Sequence, residues 1–180
     1  MKRIIIYFLV SLFLISCSDG IKDEAVGGFL LPGINYGDDF QELIDKGVVQ
    51  EKFHSPEGKY YYLNATIYGY EFINDKDALS VVVDNGKIKD VLLSGTVSYD
   101  AVMGEEIPPL IKMAMMLENE LTSKIGTPTK TQKLHYAYKT MQTTIQWNKN
   151  GLKYELNTCP GPQNMFWEIN YSVESSKDDV

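Results

Sequence analysis

Apolar and polar residues alternate with period two along most of this chain, and they do so in segments separated by turn signals. Leu79 to Asp84 and Lys87 to Val97 flank Asn85-Gly86. That dipeptide marks a two-residue type I′ hairpin, because both central positions need positive φ. A second hairpin is predicted where Thr143, Ile145 and Trp147 face Leu152, Tyr154 and Leu156 across Asn150-Gly151. Between Lys59 and Ile73 the chain is rich in aromatic and β-branched residues. Read as one strand, this stretch puts Tyr61, Leu63, Ala65 and Ile67 on one face, and Tyr60, Tyr62, Asn64, Thr66, Tyr68 and Tyr70 on the other. Val49, Glu51 and Phe53 form a short strand ahead of the Ser55-Pro56-Glu57-Gly58 turn. Past a Cys159-Pro160-Gly161-Pro162 loop, Met165, Trp167, Ile169, Tyr171 and Val173 alternate with polar neighbours in a final, half-buried strand.

The period changes twice. Asp38 or Asp39 offers an N-cap to a short helix carrying Phe40, Leu43 and Ile44, which Gly47 stops. Ile107, Leu110, Ala114, Leu117, Leu121 and Ile125 recur at helical spacing in a longer helix ended by Gly126 and Pro128, with Met113, Met115 and Met116 on its flanks. Pro32 to Gly37 is turn-like. The fold expected is α+β, a largely antiparallel sheet with two helices on one face. The element order is also compatible with a degenerate tandem α-β-β-β repeat.

The N-terminus follows a different logic. Lys2 and Arg3 precede a 12-residue apolar run from Ile4 to Ile15, too short to span a bilayer about 30 Å thick and shaped like a signal-peptide core. Leu14-Ile15-Ser16-Cys17 then resembles the lipobox of bacterial lipoproteins. The resemblance implies cleavage before Cys17, lipidation of Cys17 and stable anchoring by several acyl chains. Ser18, where an Asp would signal inner-membrane retention, implies an outer-membrane address. The acidic Asp19, Asp23 and Glu24 leave open a periplasmic or a cell-surface position. The expected organisation is a signal peptide at 1–16, a lipidated tether at 17–28, one domain at 29–173 and a frayed tail at 174–180.

Charge narrows the function classes. The chain carries 17 Lys and Arg against 24 Asp and Glu, a net charge of −7, which becomes −9 once Lys2 and Arg3 are removed. A general nucleic-acid partner is therefore not expected. With Cys17 lipidated, Cys159 is the only other cysteine, so the fold rests on its core and not on an internal disulfide.

Gly-Ile-Asn-Tyr-Gly-Asp ahead of the first helix, and Leu-x-x-Lys-Ile-Gly-Thr-Pro closing the second, resemble small Gram-negative lipoproteins with α+β modules of the beta-lactamase-inhibitor-protein and SmpA/OmlA type. The resemblance spans residues 29–173 in pattern and implies no catalytic residues.

Reactive chemistry is sparse. A thiol-dependent hydrolase would need Cys159 with His135 as its base; His54 is the only other histidine. Asp75 and Asp77 stand two apart but lack the Gly and bidentate Glu of a calcium loop. Phosphate-loop, dinucleotide and zinc-protease motifs are missing, so no metal or cofactor is expected. The most distinctive feature is the density of Tyr and Trp on predicted strands. The expected function is non-catalytic binding of an envelope protein or peptide, with Tyr68, Tyr70, Trp147 and Tyr154 as candidate binding residues. Glycan capture by Tyr68, Tyr70 and Trp147 is the alternative within the binding class.

Overall fold

The computed structural model describes residues 28–55, 58–72, 77–136, 139–160 and 166–175. The expected signal segment, Cys17 and residues 18–27 of the expected tether, the tip of the Ser55–Gly58 turn, Asp75, residues 161–165 and residues 176–180 lie outside the described residues, whereas Glu174 and Ser175, expected in a frayed tail, belong to the last strand.

Two small strands, β1 (Phe29–Leu31) and β2 (Ile34–Asn35), lead into helix α1 (Phe40–Asp45). Asp39 caps α1 by accepting the Gln41 N–H at 2.9 Å, and Phe40 and Leu43 are its buried residues. Next come β3 (Val49–Ser55), β4 (Gly58–Leu63), the short pair β5 (Ala65–Ile67) and β6 (Tyr70–Phe72), then β7 (Ala78–Asp84) and β8 (Lys87–Ser98). Helix α2 (Tyr99–Met103), capped by Ser98, and helix α3 (Pro109–Ile125) lead to β9 (Lys130–Tyr136), β10 (Lys139–Lys149), β11 (Leu152–Pro160) and β12 (Phe166–Ser175).

Both Asn-Gly hairpins form as predicted. Asn85 and Gly86 have φ of 50° and 75°, and Asn150 and Gly151 have 50° and 73°, the paired positive φ of a type I′ turn. The single strand expected over Lys59–Ile73 does not form. Asn64 separates β4 from β5, and Tyr68 takes φ 48° with Gly69 at 80° to fold β5 back on β6. The side chains past Asn64 consequently leave the face that Tyr60 and Tyr62 occupy.

Eight strands form one antiparallel sheet in the order β3-β4-β7-β8-β12-β11-β10-β9. It consists of two four-stranded meanders joined where β8 pairs with β12, from Phe166 opposite Ser98 to Val173 opposite Val91. Lateral rows of side chains therefore run from one meander into the other. Tyr61, Val81, Val91, Val173, Tyr154 and Trp147 form one row on the inner face. Leu79, Leu93, Tyr171, Leu156 and Ile145 form the next. These rows join Phe40 and Leu43 of α1, and Leu110, Met113, Ala114, Leu117 and Leu121 of α3, in a single buried cluster. Met113 is core, whereas Met115 and Met116 are exposed; Ile107, expected to open the helix, lies before it and is exposed.

α3 reaches the sheet through Gly95. A Cβ at that position would come within 2.6 Å of a Leu110 methyl and 2.8 Å of an Asp77 carboxylate oxygen. At the other end of α3 the Lys149 ammonium donates to the Lys124 and Ile125 carbonyls at 3.1 and 3.3 Å, satisfying acceptors that the helix leaves open. Gly95→Ala is expected to cost about 1–3 kcal/mol, the usual range for overpacking a close contact, and to lower the urea midpoint without changing the slope. An unchanged midpoint would show that α3 does not need this approach.

Candidate functional site: the sheet face opposite the core

The face opposite the core is built by the alternate residues of the same strands. Its central row reads Tyr62, Ser80, Leu92, Ser172, Glu155, Gln146 and Lys130 from β4 to β9. The row beside it carries Ser94, Asn170, Asn157, Thr144 and Gln132. The two halves differ in chemistry. On the β4-β7-β8 side Tyr60, Tyr62 and Val82 are half-buried and Leu92 is 42% exposed. On the β10-β11-β12 side the surface is polar and internally bonded. Gln146 donates to Glu155 at 2.6 Å, Thr144 to Asn157 at 3.1 Å, and Ser94 bridges from β8 to Asn170 at 2.8 Å. Lys153 pairs with Glu155 at 3.3 Å. Hydrogen bonds of this kind hold side chains in fixed rotamers, so this half presents an ordered polar pattern.

The four candidate binding residues are not on this face. Trp147 and Tyr154, directly opposite each other in the β10–β11 ladder, have no solvent exposure. They share the inward alternation of Ile145 and Leu156, so the pattern that forms the hairpin also buries them. Tyr68 and Tyr70, carried off the sheet by the β5–β6 turn, have their hydroxyls engaged. Tyr68 donates to Glu120 of α3, and Tyr70 donates to Asp77, which also accepts the Thr96 N–H at 3.0 Å. Burial, then the bond to Asp77, pushes the Tyr70 phenol well up. Glu120 further pairs with Lys124 at 3.6 Å, and the Lys124 ammonium stands 4.8 Å from the Phe29 ring centroid. These tyrosines are struts between the β5–β6 pair, α3 and the sheet.

Cys159 and His135 are not brought together. Cys159 lies on β11 and His135 on β9, with β10 between them, a backbone separation of about 10 Å at ordinary strand spacing. Burial raises the Cys159 thiol above its usual range, and the nearby Glu168 carboxylate raises it further. Both effects oppose thiolate formation. Asp77 serves the Tyr70–Thr96 bridge, and among the described residues no three His, Cys, Asp or Glu side chains gather as metal ligands. None of the described helices is long and apolar enough to cross a membrane.

What sequence reading missed is Leu92, together with the way β8 and β12 extend the face of Tyr60 and Tyr62. The alternation of β8 held the signal for Leu92. The β8–β12 pairing joins strands from opposite ends of the chain, and no local pattern announces it.

No protein family, curated protein or solved structure matches this chain.

The inner face has its own titration behaviour. Tyr171 is fully buried and donates to the Leu30 carbonyl at 2.6 Å. Its pKa is raised well above 10 by desolvation, then by Tyr154 and Glu120. Burial pushes Tyr154 up to about 12, and its hydroxyl has no partner among the described residues. A phenol whose folded pKa is raised holds its proton when the unfolded chain has released it. Stability is therefore fully present below pH 10 and falls as the pH climbs from about 10 through 12. Urea midpoints measured from pH 8 to 12 should stay level and then drop, with a shallower drop in Tyr154→Phe. At neutral pH Tyr171→Phe is expected to cost about 1–3 kcal/mol by orphaning the Leu30 carbonyl, and Tyr154→Phe close to nothing. Equal losses in the two variants would contradict the assignment.

Proposed function

We propose that this chain is a lipid-anchored protein of the cell envelope, cleaved before Cys17 and held at the outer membrane, facing the periplasm or the cell surface. Its work is non-catalytic binding, and its partner is another envelope protein or a peptide. The observation that carries the binding reading is the face of the eight-stranded sheet opposite the core, over which no helix lies among the described residues. Tyr60, Tyr62, Val82 and Leu92 supply rigid apolar anchors at one side, and a hydrogen-bonded polar field lies beside them. Tyrosine anchors beside satisfied polar groups are the composition expected of a protein-recognition surface. The separation of Cys159 from His135 in the register favours this reading over a thiol hydrolase. Engagement of the Tyr68 and Tyr70 hydroxyls, with burial of Trp147, favours it over a glycan platform built on those three.

On the same reading the two helices cover one face of the sheet, and the chain is a degenerate tandem α-β-β-β repeat. The mirrored order of the two meanders around β8 and β12 supports a tandem organisation, with four main-sheet strands in each half where the α-β-β-β unit has three.

Two experiments test the proposal. Metabolic labelling with palmitate should mark the wild-type chain and not Cys17→Ala, which should stay unprocessed or leave the membrane fraction; an unlabelled wild type would refute the anchor. A photo-crosslinking residue placed at Leu92 should capture a discrete partner from intact envelopes, and one at Lys112 on α3 should not. Adding Tyr60→Ala should weaken capture by tenfold or more, since an interface anchor carries about 2 kcal/mol. Equal capture from both positions would refute the face as the docking surface.

A further inference from the structure

A concave site lies on the helix side of the sheet, where the α2–α3 connection passes over β11 and β12. It is a cavity of about 360 Å³, within the size range of small-molecule sites. Its floor is Thr158 of β11 and Trp167 and Ile169 of β12, and its walls are Val102 of α2, Ile107 and Ile111. Trp167 and Ile169 are buried core residues, so the floor is fixed by the β11–β12 and β8–β12 ladders. The Thr158 hydroxyl is already bonded to Thr143 at 2.6 Å, while the buried Trp167 indole N–H has no partner among the described residues and is an open donor of the floor.

The rim differs from the floor. Glu105 and Glu106 border the cavity and are exposed, and no Lys or Arg is among its lining residues. Ile107, beside them, is 56% exposed, the most exposed large apolar side chain among the described residues. The rim therefore sets a bare isoleucine against two carboxylates. The N-terminal end of α3 is uncapped and bears a partial positive charge, but two full carboxylate charges outweigh the roughly half charge of a helix end. The chain's net charge of −7 adds a field of the same sign.

We infer that this cavity is a binding site for a small amphiphilic organic cation, one whose apolar body rests on Trp167, Ile169 and Ile111 while its ammonium or guanidinium group meets Glu105 and Glu106. An anion of the same shape is repelled at the mouth. A neutral analogue gains the apolar contacts alone. This site is on the opposite side of the sheet from the docking face and does not depend on it, so either can fail without the other.

Phenethylamine, 2-phenylethanol and 3-phenylpropionate share a phenylethyl body and differ in charge. Each is titrated into the full chain in detergent while the indole N–H signals of its two tryptophans are followed by NMR. The signal missing in Trp167→Phe identifies Trp167. Phenethylamine should shift that signal saturably, and much more than the Trp147 signal, with the alcohol about fivefold weaker at low salt and the carboxylate weaker still. That ratio is the size expected of partly solvated ion pairs. The Glu105→Gln, Glu106→Gln double variant should bring the amine to the level of the alcohol, and 0.5 M salt should do much the same. Both glutamates are exposed, so this variant keeps the fold. Three results overturn the inference: no ligand shifts the Trp167 signal, the carboxylate binds as well as the amine, or the double variant leaves the amine-to-alcohol ratio unchanged.

Discussion

The ladder between β8 and β12 is the interaction on which the other layers depend. Each meander could pair its own strands locally, but only this seam carries the lateral rows from Tyr61 to Trp147 on one face and from Tyr62 to Lys130 on the other. It also sets where α3 docks. Gly95 lies opposite Ile169 in the seam, and the absence of a side chain at Gly95 lets Leu110 close onto the sheet. Asp77 fits beside the same glycine, receiving Thr96 and Tyr70 and so bringing the β5–β6 pair against the helix side. A seam between the last strands of two blocks is non-local, and forming it brings a loop-closure cost that the hairpins do not face.

Local chemistry was legible and long-range placement was not. Asn85-Gly86 and Asn150-Gly151 specify their turns through backbone preference alone, and the Leu110–Leu121 spacing specifies a helix whatever it packs on. The break at Asn64 and the turn at Tyr68-Gly69 have no such signature. A non-glycine residue at φ 48° is unusual, and Tyr68 holds it with its hydroxyl on Glu120, 52 residues away in the chain. The five-residue α2 is likewise too short for a period to show. As for the candidate site, Tyr60 and Tyr62 were visible as one face. Trp147 and Tyr154 illustrate the opposite error: aromatic density suggested a surface, whereas strict alternation with Ile145 and Leu156 already placed them inside.

The two edges of the sheet are β3 and β9. Both carry lysine, at Lys52 in β3 and at Lys130 and Lys133 in β9. Charged edge strands discourage pairing with a second copy. This is in keeping with the proposal that a partner docks on the face opposite the core and not at an edge.

The way the chain enters the fold has a mechanical consequence. Residues ahead of Gly28 lead directly into β1, whose Phe29, Leu30 and Leu31 are all buried. Tension applied from that side is divided among the Tyr36–Gly28 backbone bond, the Tyr171 hydroxyl on Leu30 and the Lys124 cation over Phe29. These attachments lie just after β2, on β12 within the seam and on α3, so the load is spread over the middle of the molecule and not onto an edge strand that could be peeled away one bond at a time. A pull on the leading segment must draw three apolar side chains out of the core before any strand of the main sheet gives way.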